Sequence, residues 1–136
     1  MFHAVTYPNI EKPFNPILGE TLQTTLDGIP VYMEQISHHP PISAYYMKND
    51  QFETWGNVEV HIDMGLNSAY SKVIGLFNFR FPGLKTHYIV KLPDVQVGGL
   101  IMGDRTYHLV SKGFVYETTN DIYLEFSIGK EKKKVY

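Results

Sequence analysis

The stretch Ile122-Tyr-Leu-Glu-Phe-Ser-Ile128 decides the fold class: Ile122, Leu124, Phe126 and Ile128 alternate with Tyr123, Glu125 and Ser127. Side chains on a strand point alternately to opposite faces, so this period of two describes a strand with one dry and one wet face. Residues 57–62 repeat the pattern, with Val58, Val60 and Ile62 opposed to Asn57, Glu59 and His61. Residues 72–81 place Val73, Gly75, Phe77, Phe79 and Phe81 on one face and Lys72, Asn78 and Arg80 on the other. Working outward, residues 31–36, 42–47, 88–92, 95–102, 107–110 and 114–118 read as further strands, each bounded by Gly, Pro, Asp or Asn. The pattern of residues 18–26 is ambiguous, but its Thr content and the following Asp27-Gly28 favour a strand that ends in a turn. Roughly nine or ten short strands at this spacing predict an antiparallel meander, which must close into a barrel, pair its edges or aggregate.

Composition agrees. Of 136 residues, 43% are apolar and 19% charged, the balance of a globular chain, and no apolar run approaches the roughly 20 residues of a spanning helix. Val, Ile and Thr with the aromatics far outnumber the three Ala, which suits a pleated surface and disfavours a helical bundle. Residues 1–30 are rich in turn formers and read as an extended segment running along something else. Gly98-Gly99 reads as a bulge or a close backbone approach. One domain without internal repeats is expected.

Several chemistries are excluded. The absence of Cys removes disulfides, thiol nucleophiles and Cys-based zinc sites. No Gly-x-Ser-x-Gly elbow, phosphate-cradling Gly-Lys-Ser/Thr loop or paired carboxylate is present, so the chain reads as non-enzymatic, with no cofactor. A net charge of −2 gives no global attraction to nucleic acid, and aromatic stacking on single strands would need a basic groove. The N-terminus lacks the basic and apolar regions of a signal peptide, so a cytoplasmic location is expected.

Charge is uneven, however. Residues 1–68 hold two basic residues, Lys12 and Lys48, against eight acidic ones, a net of −6, while the second half carries +4. The basic run at residues 130–134 reads as a solvated tail. His38 and His39 are adjacent and precede Pro40-Pro41, which holds the pair extended, and neighbours on a strand face opposite ways, so no metal site is expected. A Lys beside two His suits a single phosphate, since Lys supplies a point charge and each imidazole can donate a hydrogen bond. The competing reading is a structural turn whose rings satisfy backbone carbonyls.

Glu34-Gln35-Ile36-Ser37-His38-His39-Pro40-Pro41 closely resembles the fingerprint of the oxysterol-binding protein family, usually Glu-Gln-Val-Ser-His-His-Pro-Pro, with a conservative Ile for Val. Upstream, Lys12-Pro-Phe-Asn-Pro-Ile-Leu-Gly-Glu20 is similar to that family's second signature at the expected distance. The resemblance implies mainly β structure: an antiparallel meander forming part of an incomplete β-barrel around a lipid tunnel, with signatures at 12–20 and 34–41 and barrel strands at 42–136. It implies lipid transfer between organelle membranes, phosphatidylinositol 4-phosphate exchanging against sterol or phosphatidylserine. It assigns the phosphorylated headgroup to Lys12, His38 and His39, with Asn15 as a further headgroup contact. Family lipid-binding domains are much longer than 136 residues, so the resemblance covers the signatures and about the first half of the barrel. A half-barrel is expected to expose unpaired edges and an apolar face, and to self-associate or act as a scaffold that docks to phosphoinositide membranes.

Overall fold

A computed structural model of the chain describes residues 16–127. Lys12, Asn15, Ile128 and the basic run at 130–134 lie outside the described residues. Eleven strands form one antiparallel sheet: β1 (Thr21–Leu26), β2 (Ile29–His38), β3 (Pro41–Lys48), β4 (Glu53–Met64), β5 (Ser68–Ile74), β6 (Phe77–Phe81), β7 (Thr86–Lys91), β8 (Val95–Gly98), β9 (Thr106–Leu109), β10 (Gly113–Glu117) and β11 (Ile122–Phe126). The helical content among the described residues is one 3₁₀ turn at Pro82–Leu84.

The sheet is open and forked. Its main path runs β1-β2-β3-β4-β6-β7-β10-β11, and a second arm leaves β4 through β5 to β8 and β9. The fork begins where the alternation suggested one strand at 72–81. Both β5 and β6 pair with the same edge of β4, Ile74 opposite Glu59 and Phe77 opposite Gly56, and the chain breaks at Gly75-Leu76 between them. Gly75 has φ 152°, and a Cβ there would lie 2.0 Å from the Asn57 carbonyl oxygen. The close approach needs glycine.

One face of the main path is apolar. Leu22, Met33, Tyr45, Gly56, Phe77, Val90, Val115 and Leu124 share a single register row across eight strands. Tyr45 packs on Phe77 at 5.9 Å between ring centroids, and Phe81 meets Tyr88 at 6.0 Å. The opposite face carries a polar clasp: Arg80 pairs with Glu53, lies 5.4 Å from the Trp55 ring, and Trp55 stacks on His87. The Arg80 and Tyr46 hydrogen bonds hold the Glu53 carboxyl below its ordinary range.

Little of the apolar face is covered. Among the described residues the buried hydrophobic side chains are Val31, Val73, Val95 and Val97. The alternation at residues 122–126 predicts a dry face, yet Ile122 and Leu124 are each 57% exposed, because among the described residues β11 ends the sheet.

The β10–β11 turn is closed by a buried carboxylate. Glu117 accepts hydrogen bonds from the Thr119 and Asn120 amides and from Asn120 Nδ2. Burial pushes its pKa up, but those donors outweigh burial and hold it below the ordinary value. The ionised carboxyl therefore stabilises the fold above the unfolded-state value of about 4.3, and that contribution is lost as pH falls through the lower folded-state value. Glu117→Gln is expected to melt below the parent at neutral pH, with the gap in Tm closing below about pH 4. A gap that persists unchanged at pH 3 would assign the loss to packing instead.

Candidate functional site

The fingerprint forms the end of β2, the turn at His39-Pro40 and the start of β3. Its ladder is irregular: Gln35 pairs with Ser43 and Ser37 with Ile42, leaving Ile36 as an extra residue looped out of register. On a regular strand Gln35 and His38, three apart, would face opposite sides. The bulge at Ile36 adds one residue and returns His38 to the face of Val31, Met33 and Gln35. The side chains confirm it, since Gln35 Nε2 lies 3.2 Å from His38 Nδ1.

Gln35 Nε2 is placed to donate to His38 Nδ1, and in the tautomer that accepts there the ring N–H is on Nε2, where it can donate to an anion. Gln35 is 2% exposed, the most buried side chain described, while His38 and His39 are exposed. Its backbone is clamped as well. Gly19 donates to the Gln35 carbonyl at 2.8 Å, and the Gln35 amide donates to the Glu20 carbonyl at 3.1 Å. The C-terminal end of the first signature is thereby bound directly to the fingerprint. Sequence reasoning named both motifs and missed Gln35 as the residue joining them; the signal available was a polar residue in phase with Val31 and Met33.

The His38 and His39 rings lie 4.6 Å apart, edge to face. This corrects the expectation that adjacent His residues point apart: His38 ends β2 and His39 stands in the turn, where strict alternation no longer applies. Among the described residues no cluster of three His, Asp or Glu accompanies them. Lys12 and Asn15, the other two predicted headgroup residues, fall outside the described residues, so the structure brings together the His pair alone. Lys48, the second cation of the acidic half, is at the far end of β3 beside an open depression lined by Pro30, Tyr32, Tyr46, Asn49 and Asp50, away from the fingerprint turn.

The site thus stands at one end of the apolar face. Tyr45 on that face has its phenol pushed up by burial, partly opposed by its hydrogen bond with Thr54. A polar pair at the mouth and an apolar row behind it match an amphiphile with an anionic head and hydrocarbon tails.

Known proteins share both the sequence and this architecture. The family model described as oxysterol-binding protein matches residues 1–135. Oxysterol-binding protein 9 of Dictyostelium discoideum is 34% identical over 119 residues, covering 85% of this chain and 28% of that protein. Oxysterol-binding protein-related protein 5 of Mus musculus is 32% identical over 124 residues, covering 85% of this chain and 14% of its own length. Among solved structures, the Osh1 ORD domain in complex with cholesterol superposes with a TM-score of 0.75 at 28% identity, over 86% of this chain and 30% of that one. The Osh3 ORD in complex with PI(4)P from Saccharomyces cerevisiae superposes with a TM-score of 0.71 at 25% identity, over 79% and 29%. The chain therefore spans less than a third of the relatives it matches. With the match over residues 1–135, the fingerprint and the open antiparallel sheet in agreement, this chain belongs to the oxysterol-binding protein family.

Proposed function

We propose that this chain is a non-enzymatic lipid-exchange module that holds a phosphoinositide headgroup at His38 and His39 and lays the acyl tails along the apolar row of the sheet. The observation that carries the reading is the bulge at Ile36, which brings His38 onto the apolar face beside Gln35. Structural relatives in complex with PI(4)P, cholesterol and ergosterol support a phosphoinositide and a sterol as the exchanged pair. Lys12 is the third headgroup partner in this reading, and Asn15 a lesser one. The module works peripherally on the cytoplasmic side of organelle membranes.

Extraction exposes acyl chains at a cost of roughly 0.8 kcal/mol per CH₂, which an apolar face must offset. Leu22, Met33 and Leu124 are about half exposed on that face and offer such a surface. The outer edges of β1, β9 and β11, without a partner strand among the described residues, favour a second reading, a scaffold that docks or self-associates without carrying lipid.

A vesicle-to-vesicle assay separates the two. Phosphatidylinositol 4-phosphate should move from donor to acceptor vesicles in proportion to protein concentration, with sterol moving in the opposite direction. Sedimentation with vesicles without any lipid movement would sink the carrier reading and leave the docking scaffold.

A further inference from the structure

Beyond the headgroup turn, β4 continues for five residues past Glu59, the partner of Ile42, which is about 17 Å at the usual rise per strand residue. There the β4–β5 turn meets the β8–β9 loop, residues 99–105. Asn67 joins them: its Oδ1 accepts from the Ile101 and Met102 amides at 2.8 and 3.0 Å, its Nδ2 donates to the Met102 carbonyl at 2.8 Å, and its own carbonyl accepts from Leu100. Gly65 closes the β4–β5 turn on the Ser68 carbonyl at 2.7 Å. Gly99, with φ 70°, lets the loop close on the Asp104 carbonyl, which a Cβ would meet at 2.1 Å. Residues 95–102 read as a strand from sequence, but the chain leaves the sheet at Gly98 because of this turn.

The clamped pair presents Leu66 at 95% exposure, with Ile101 and Met102 at 76% and 74%. Met64 and Ile62, in phase with Val58 on the apolar face, lead back from the tip toward the headgroup turn. We propose that this apex inserts into the interfacial zone of a lipid bilayer. Three observations select that occupant. The side chains protrude from turns in which the amides of Gly65, Leu100, Ile101 and Met102 are already paired, so those four groups are not open to a further strand. Backbone that is satisfied internally is what a loop needs to enter an apolar medium. The nearest charged residues in the chain, Asp63, Lys72, Asp104 and Arg105, cancel in sign, so the attraction is apolar insertion rather than charge. The apex also lies at the end of the sheet that carries His38, so insertion there presents the headgroup turn to the membrane; this orientation rests on the headgroup reading above.

The chain contains no Cys, so single reporters can be placed at will. Leu66→Cys, Ile101→Cys and Leu84→Cys would each carry an environment-sensitive fluorophore and be mixed with phosphatidylcholine vesicles lacking phosphoinositide. Leu84 is the control, 72% exposed but in the β6–β7 turn at the opposite end of the sheet. The first two adducts should brighten, be quenched by brominated lipid, and keep that response at high salt, while the Leu84→Cys adduct stays unchanged. Leu66→Ser with Ile101→Ser and Met102→Ser should lower vesicle partitioning at least ~30-fold. It should leave the binding of a water-soluble, short-chain phosphatidylinositol 4-phosphate intact. Equal shielding of the Leu84→Cys adduct, loss of the response in salt, or unchanged partitioning of the triple variant would each overturn the apex. The vesicles lack phosphoinositide, so partitioning reads the apex and not the phosphate contacts of the headgroup turn. A failure of the headgroup reading therefore shows separately, in the short-chain lipid measurement.

Discussion

Replacing His38 and His39 together by alanine is expected to lower phosphatidylinositol 4-phosphate extraction by about 100-fold or more, with the far-ultraviolet circular dichroism unchanged. Hydrogen bonds to a charged partner contribute roughly 1.5–3 kcal/mol each, so losing two at a partly desolvated phosphate removes at least two orders of magnitude in affinity. Both rings are exposed, and their loss leaves the ladder between β2 and β3 in place. Gln35→Leu is the companion test. It keeps the buried volume but takes away the group that holds His38 Nδ1, so it should weaken headgroup binding by about tenfold while sterol binding stays at the parent level. Loss of folding in the double alanine variant would instead assign the pair to the turn, the structural reading that the residues alone left open.

The second large effect is on the fold. Gly75→Ala is expected to destabilise the protein by about 3 kcal/mol or more, or to prevent folding, because it adds backbone strain and a steric clash at the same position. The new Cβ would sit 2.0 Å from the Asn57 carbonyl oxygen, at a φ of 152° that L-residues rarely adopt. Relief requires β5 to move off β4, and β5 carries the arm with β8 and β9. Denaturant unfolding monitored at Trp55, on the adjoining part of β4, measures the loss directly. A midpoint within error of the parent would show that the fork does not depend on this approach.

The alternation at residues 57–62 lies within β4, and that at 122–126 coincides with β11, because period two is a local property that survives whatever packs on the strand. The same alternation at 72–81 traced the right path and the right face, with Val73 and Phe77 both in phase along β4. It could not reveal the break at Gly75, since that break is set by which strands take the outer edges of β5 and β6. Strand order was illegible for a related reason. β4 takes both β5 and β6 on one edge, and β7 passes over β8 and β9 to pair with β10, choices made by long-range contacts rather than by neighbouring residues.

Sequence by itself determined the β-rich class, the absence of thiol chemistry and the family, because these rest on residue identity and short-range pattern. It also named His38 and His39. Only the tertiary structure decided that the two rings lie side by side. A bulge is defined by the partner strand: Ile36 is looped out because Ser37, not Ile36, pairs with Ile42, and that pairing alone turns His38 onto the apolar face beside Gln35. The apex was hidden for the same physical reason. Leu66 and Ile101 are 35 residues apart in the chain, and what makes them neighbours is the set of hydrogen bonds from Asn67 across two turns.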